Sequence, residues 1–272
     1  MSIIHFREFN ELWIYLTLAC NLRCIHCFTS SSPEVNTSRD PKLEDLLFLI
    51  DEAKKYNIKE IRLTGGEPFL KLRELFRILE YANNLNLSSK IITNGTLINF
   101  EVVKKLSQIK NLVIQISLDG TCAETHDAIR GKGTFDLIIK NVKLLRESGV
   151  NVVLSMVLRE DNKNELSKLS NLAKSLNCGY HIMLFFKSIG KARNTNFKTP
   201  RLTKVKISRF TPHCVTGITF IEGRFQPCPF LFEEKYSIGN SLKEALTQES
   251  FEKIRNFNKK EESCKICLSG IT

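Results

Sequence analysis

Seven of the nine cysteines in this 272-residue chain fall into two groups. Cys20, Cys24 and Cys27 form a C-x3-C-x2-C cluster, while Cys214, Cys228, Cys264 and Cys267 are spread over the last quarter of the chain. Thiolates are soft ligands that select zinc or iron–sulfur centres. A loop as tight as residues 20–27 can point three sulfurs at three corners of a cubane cluster and leave the fourth iron without a protein ligand. An iron left open in this way can chelate a small bidentate ligand, such as the amino and carboxyl groups of an amino acid. A zinc site built from the three cysteines and His26 is the alternative. The four later cysteines suffice to enclose a second cubane, or equally a zinc staple in which His213 could replace one sulfur. Cys122 and Cys178 have no partner at ligand spacing and read as small buried apolar residues.

These residues need a scaffold, and the hydrophobic pattern supplies one. Short apolar runs at Leu12–Leu18, Glu60–Leu63, Lys90–Ile92, Leu112–Ser117, Asn151–Val157 and His181–Phe186 read as strands. Amphipathic stretches at Leu43–Lys55, Leu70–Asn83, Phe100–Ser107, Phe135–Ser148 and Asn164–Leu176 read as the helices between them. Strand–helix repeats of this kind imply an α/β fold with a parallel sheet, whose ligands gather at the carboxyl ends of the strands. Chemistry-bearing residues sit at those ends: the cysteine triad, Thr64-Gly65-Gly66-Glu67-Pro68, Thr93-Asn94-Gly95, Ser117-Leu118-Asp119-Gly120 and Lys187–Arg193. The polar stretch Asn194–Ser208 reads as a linker. Beyond it come strand signals near Gly217–Ile221 and Arg224–Pro227 and a helical pattern over Ser241–Phe257, a tail too small for a core of its own and so expected to need a metal.

Taken together, these motifs resemble the radical S-adenosylmethionine (SAM) superfamily over nearly the whole chain. C-x3-C-x2-C after a first strand is similar to the signature of that family, and Thr64–Pro68 resembles its glycine-glycine-glutamate-proline motif. Ser117–Gly120 with His126-Asp127-Ala128-Ile129-Arg130, and Ile189–Arg193 after the sixth strand, resemble the subgroup with auxiliary clusters. Gly223 followed by Cys228, then Cys264-x2-Cys267 close to Thr272, resembles the shortened "twitch" form of the SPASM tail. The resemblance implies a partial (β/α)6 TIM-like barrel over residues 1–193 and a linker with a small cysteine-rich iron–sulfur tail over 194–272. It implies a [4Fe–4S] cluster on Cys20, Cys24 and Cys27, one auxiliary [4Fe–4S] cluster on Cys214, Cys228, Cys264 and Cys267, and SAM as cosubstrate. Gly65 and Gly66 would let the backbone approach SAM, and Glu67 would take its ammonium group. Ser117 and Arg130 would take its carboxylate. Thr64 and Asn94 join that shell, and His26, where the family commonly carries Tyr or Phe, would pack against the adenine. Asp119 is expected to cap the following loop and His126 to be structural. No catalytic acid or base stands out.

By the same resemblance, SAM is cleaved reductively to a 5′-deoxyadenosyl radical that takes a hydrogen atom from the substrate. A ribosomally made peptide is the leading expectation, with a tetrapyrrole-type cofactor precursor or a small alcohol as alternatives. The implied partners are a flavodoxin or ferredoxin as electron donor and, since no leader-gripping module precedes the first strand, a separate peptide carrier. Forty basic residues against 29 acidic give a formal charge of +11, but the basic residues are scattered without aromatic interleaving, which argues against a nucleic-acid partner. No apolar run is long enough to span a membrane. The N-terminus lacks the apolar stretch of a signal peptide, and so many cysteines suit a reducing, cytoplasmic setting.

Overall fold

The computed structural model describes residues 10–184, 190–198, 217–231, 233–247, 249–250, 252–253 and 256. Six strands, β1 (Glu11–Tyr15), β2 (Glu60–Thr64), β3 (Ser88–Thr93), β4 (Leu112–Ser117), β5 (Asn151–Leu158) and β6 (Gly179–Leu184), pair in parallel in chain order. Helices α1 (Leu43–Lys55), α2 (Leu72–Asn84), α3 (Phe100–Leu106), α4 (Ala123–Arg130), α5 (Thr134–Glu147) and α6 (Leu166–Ser175) lie between them. Alternation along each strand divides two environments. Leu12, Ile14, Ile61, Leu63, Ile114, Ile116, Leu154 and Met156 are fully buried in the core shared with the helices. Their neighbours Trp13, Tyr15, Thr64, Gln115, Ser117, Ser155 and Val157 turn the other way and line a cavity inside the curved sheet. This is the partial barrel that the alternating pattern implied.

Three elements differ from the sequence expectation. Helix α4 was not visible in the pattern, because only His126 and Ile129 of its residues are buried and no apolar stripe results. The tail does not stand apart: β7 (Gly217–Ile221) pairs in parallel with the free side of β1, and β8 (Arg224–Gln226) pairs antiparallel with β7. Its apolar residues Ile218, Phe220, Phe225, Ile238 and Leu242 join the core of the barrel, so this part of the tail borrows a core rather than lacking one. The expected helix over Ser241–Phe257 is interrupted: α7 (Leu242–Ala245), capped by Ser241 Oγ, is followed after a turn by helical residues Glu249, Ser250, Glu252, Lys253 and Asn256. Helix α7 stops where Thr247 and Ser250 hydroxyls take the Glu244 carbonyl at 2.8 Å, a local competition with the helical ladder.

Past β1 and β2 the chain continues as two apposed segments. Thr64 O accepts from Leu16 N at 3.0 Å, Thr17 O from Gly66 N at 2.7 Å, and Ala19 O from Glu67 N at 2.9 Å. Contact this close leaves no room for a side chain. A Cβ on Gly65 would run into Thr17 O, and one on Gly66 would lie 2.6 Å from both Leu18 O and Ala19 C. The glycines are therefore demanded by the neighbouring backbone and not by a ligand alone. Gly66→Ala is expected to cost about 3 kcal/mol or more in urea unfolding. Gly149→Ala has a φ of +79° and nothing within 4 Å of the new methyl, and its expected cost is the ~1–2 kcal/mol of a left-handed residue.

Candidate active site

The cysteine loop is held at its base, its middle and its end. Cys20 N donates to Ser32 O at 3.1 Å, and Ile25 N donates to Ile129 O on α4 at 3.1 Å. Cys27 O accepts from Lys191 N at 2.9 Å. Cys20 and Cys24 are buried, Cys27 is half-buried, and all three line one cavity at the carboxyl ends of the strands. That cavity holds about 1200 Å³ free of protein atoms, including its open mouth.

Each sulfur sits beside an N–H or O–H group. Leu22 N (3.4 Å) and Asn94 Nδ2 (3.7 Å) donate to Cys20 Sγ, and Arg130 Nη1 donates to Cys24 Sγ at 3.9 Å. Thr29 Oγ1 lies 3.3 Å from Cys27 Sγ. Such donors favour thiolates. Burial works against them: it pushes Cys20 up to about 11, with Glu67, Cys24 and Cys27 adding to the rise and the Leu22 N–H opposing it. Burial likewise raises Cys24, partly offset by the charge of Arg130. Three thiols, two of them buried, each have an N–H or O–H group beside them, and an iron–sulfur core would supply the positive centre that holds them ionised. The residues present fit that group. His26 turns its Nε2 to Asp119 Oδ2, 2.8 Å away. Among the described residues, no three His, Cys, Asp or Glu side chains gather tightly enough for a single metal ion.

Around the triad, the expected rim residues take different positions. Thr64, Gly65, Gly66, Asn94, Ser117, Arg130 and His26 all line the cavity. Glu67 is not among the residues that line the cavity. It is fully buried, and its carboxylate accepts from Thr93 Oγ1 (2.7 Å), Asn94 N (2.8 Å) and Phe69 N (3.1 Å) rather than facing a ligand. Its acceptors are needed where the turn after β2 meets the end of β3. Asn94 extends that network by donating to Asn21 Oδ1 at 2.9 Å, which ties β3 to the cysteine loop.

Asp119 departs from expectation. The cap position of α4 falls on Cys122, with no side-chain bond. Asp119 is instead a buried hub: Oδ2 takes Arg130 Nε at 2.6 Å and faces His26, while Oδ1 takes Val157 N at 3.0 Å. Burial would raise its pKa, but Arg130 and His26 hold it well below the usual carboxylate range. His126 accepts from Asp119 N through Nδ1 at 3.2 Å, and burial together with the charge of Arg130 lowers it to about 4. The ring is fully buried.

Of the tail cysteines, Cys228 is described, and Cys214, Cys264 and Cys267 lie outside the described residues, as do His213 and Lys187–Ile189. The segment after Cys228 reaches the cavity. Pro229 and Phe230 line it, Tyr15 OH lies 3.5 Å from Pro229 O, and the rings of Phe28 and Phe230 are 5.1 Å apart. Trp13, Tyr15, Ile92, Gln115, Ser155, Val157 and Met183 complete the lining. The sequence reading did not single these out, although their inward positions on the strands were the available signal.

The family model for the radical SAM superfamily matches residues 14–173. The chain belongs to the radical SAM superfamily. Proteins of this superfamily use a [4Fe–4S] cluster and SAM. Mycofactocin maturase MftC of Mycolicibacterium smegmatis is 35% identical over 162 residues, which are 58% of this chain and 40% of MftC. An AdoMet-dependent heme synthase of Methanosarcina barkeri is 30% identical over 186 residues, 68% of this chain and 53% of the synthase. The chain thus spans about half or less of these relatives. In fold, it is similar to Streptococcus suis SuiB bound to SAM, with a TM-score of 0.72 at 18% identity over 94% of this chain and 70% of SuiB. SuiB with its precursor peptide SuiA gives the same TM-score.

Two outcomes follow from the buried carboxylates of this radical SAM site. Asp119→Asn leaves Arg130 without its counter-charge and is expected to cost about 3–5 kcal/mol in urea unfolding. Burial raises Glu67 from 4.5 to about 7. Because its folded value is the higher one, its contribution is full below about pH 4.5 and is lost as pH rises through about 7. Cluster-free protein is expected to lose stability over that window, and Glu67→Gln to flatten that part of the pH–stability curve.

Proposed function

We propose that this protein holds a [4Fe–4S] cluster on Cys20, Cys24 and Cys27, binds SAM beside it and removes a hydrogen atom from a ribosomally made peptide. The observation that carries this reading is the shared cavity: three thiols, the glycine-rich turn after β2, and the Ser117 and Arg130 side chains all open onto it. When bound, the cluster supplies the electron for reductive cleavage of SAM. Arg130 and Ser117 are positioned to take a carboxylate, and Asp119 keeps the Arg130 guanidinium in place. The Thr64–Gly66 backbone forms the adjoining wall. Deeper in, Trp13, Tyr15, Ile92, Val157 and Met183 make an apolar lumen suited to excluding water from a reactive radical and to receiving a substrate side chain.

Support for a peptide comes from the maturase name of MftC and the peptide-bound structure of SuiB. We further assign the tail, residues 194–272, an auxiliary [4Fe–4S] cluster on Cys214, Cys228, Cys264 and Cys267. A flavodoxin or ferredoxin in the cytoplasm is the proposed reductant, and a separate carrier would present the peptide. No helix among the described residues is long and apolar enough to cross a membrane. The tetrapyrrole reading rests on one observation, the heme synthase match that covers the larger share of this chain.

Anaerobically reconstituted protein is expected to release 5′-deoxyadenosine from SAM and dithionite, with alanine at any of the three cysteines lowering the yield at least about a hundredfold. Mass spectrometry of a precursor peptide encoded beside the gene, run in parallel with a metalloporphyrin, separates the two substrates. A cluster-loaded wild type that yields no 5′-deoxyadenosine would overturn the assignment.

A further inference from the structure

Among the three sulfurs, Cys27 has the lightest fastening of its own. Cys20 Sγ receives two N–H donors and Cys24 Sγ receives Arg130, whereas Cys27 Sγ has a hydroxyl beside it and is only half-buried. Its backbone has two long bonds within the loop, Cys27 N to Cys24 O and Ser30 N to Cys27 O at 3.3 Å each, and a shorter set from far along the chain, from the 3-10 turn Gly190–Asn194 after β6. Lys191 N donates to Cys27 O at 2.9 Å, and Lys191 Nζ reaches past it to Ser31 O, also at 2.9 Å. Gly190 lies against the same peptide units. A Cβ there would sit 2.6 Å from Cys27 O and closer still to Phe28 O, and its φ of +55° also favours glycine. Ala192 in the same turn is fully buried. Arg193 Nη2 pairs with Glu233 Oε1 at 3.2 Å, which ties the turn to the tail.

We propose that Gly190 and Lys191 are positioning residues for the third sulfur: the turn after β6 clasps the Cys27–Ser31 segment and so sets how firmly the triad holds its cluster. The inference rests on the cluster assignment above. It adds that the last ligand is secured by a segment some 160 residues away as well as by the longer bonds of its own loop. Metal–ligand distances tolerate about 0.2 Å, so displacing the backbone that carries the Cys27 sulfur strains its bond to a cluster.

The test compares reconstituted full-length wild type, Gly190→Ala, Lys191→Ala and Gly149→Ala. The last has the same left-handed strain but nothing within 4 Å of its new methyl. The readouts are iron and sulfide per chain, the rate at which a chelator strips the cluster, and the fraction of the reduced-cluster EPR signal that shifts on adding SAM. That shift reports the triad site specifically. Gly190→Ala is expected to lose its cluster about ten- to a hundredfold faster than wild type, the usual effect of disturbing a ligand's supporting contacts, with a smaller SAM-shifted fraction. Gly149→Ala should match wild type. Lys191→Ala adds no atom and removes only the Ser31 link, so it should fold normally and release the cluster severalfold faster. Release from Gly190→Ala no faster than from Gly149→Ala would overturn the proposal. Should Gly190→Ala fail to fold, wild-type release from Lys191→Ala would overturn it as well. A wild type that takes up no cluster would instead bring down the cluster assignment itself.

Discussion

Backbone-to-backbone packing at the exits of β1 and β2 is the constraint on which the site depends. Carbonyls of Thr17 and Ala19 receive the N–H groups of Gly66 and Glu67, at a separation that admits no side chain on Gly65 or Gly66. That apposition sets where the cysteine loop leaves the sheet and where the glycine-rich turn faces it. Buried polar groups then complete the rim. Glu67 gathers three donors at the junction of two strands, and Asp119 binds α4 to the cysteine loop through Arg130 and His26. Such groups are costly to bury and stay only where their partners are complete. Fixed in this way, the rim needs little rearrangement to receive a ligand.

Much of this was legible in the sequence, and the reasons are specific. Strand and helix positions followed from apolar periodicity, because each element buries one face in a common core. The triad was legible because its spacing is local. What escaped notice depended on distant partners. Gly65 and Gly66 signalled close approach, but not that the near atoms belong to Thr17 and Ala19. Glu67 read as a ligand-facing carboxylate, since nothing in the sequence reveals Thr93 and Asn94 as its partners. Asp119 read as a cap for the same reason. Helix α4 buries one histidine and one isoleucine, too little to write a period. The tail read as lacking a core because the pairing of β7 with β1 bridges some 200 residues.

Relatives named as a mycofactocin maturase and as a heme synthase both match this chain, and function is not read from a fold. The inner surface is lined by Trp13, Tyr15, Gln115, Ser155 and Met183 from the strands, and by Phe28, Pro229 and Phe230 from the two cysteine-bearing segments. Those two segments meet ring to ring across the cavity.

The pairing of β7 with β1 also bears on how the chain can be divided. In the intact fold, one whole side of β1 is spent on Gly217–Phe220. Cut away the tail, and a flat strand carrying Leu12, Trp13 and Ile14 is left with a row of open amides and carbonyls. Edges of that kind invite pairing with other chains. A barrel severed after residue 193 would therefore tend towards self-association, and the two halves are better regarded as one inheritance unit than as modules free to be exchanged.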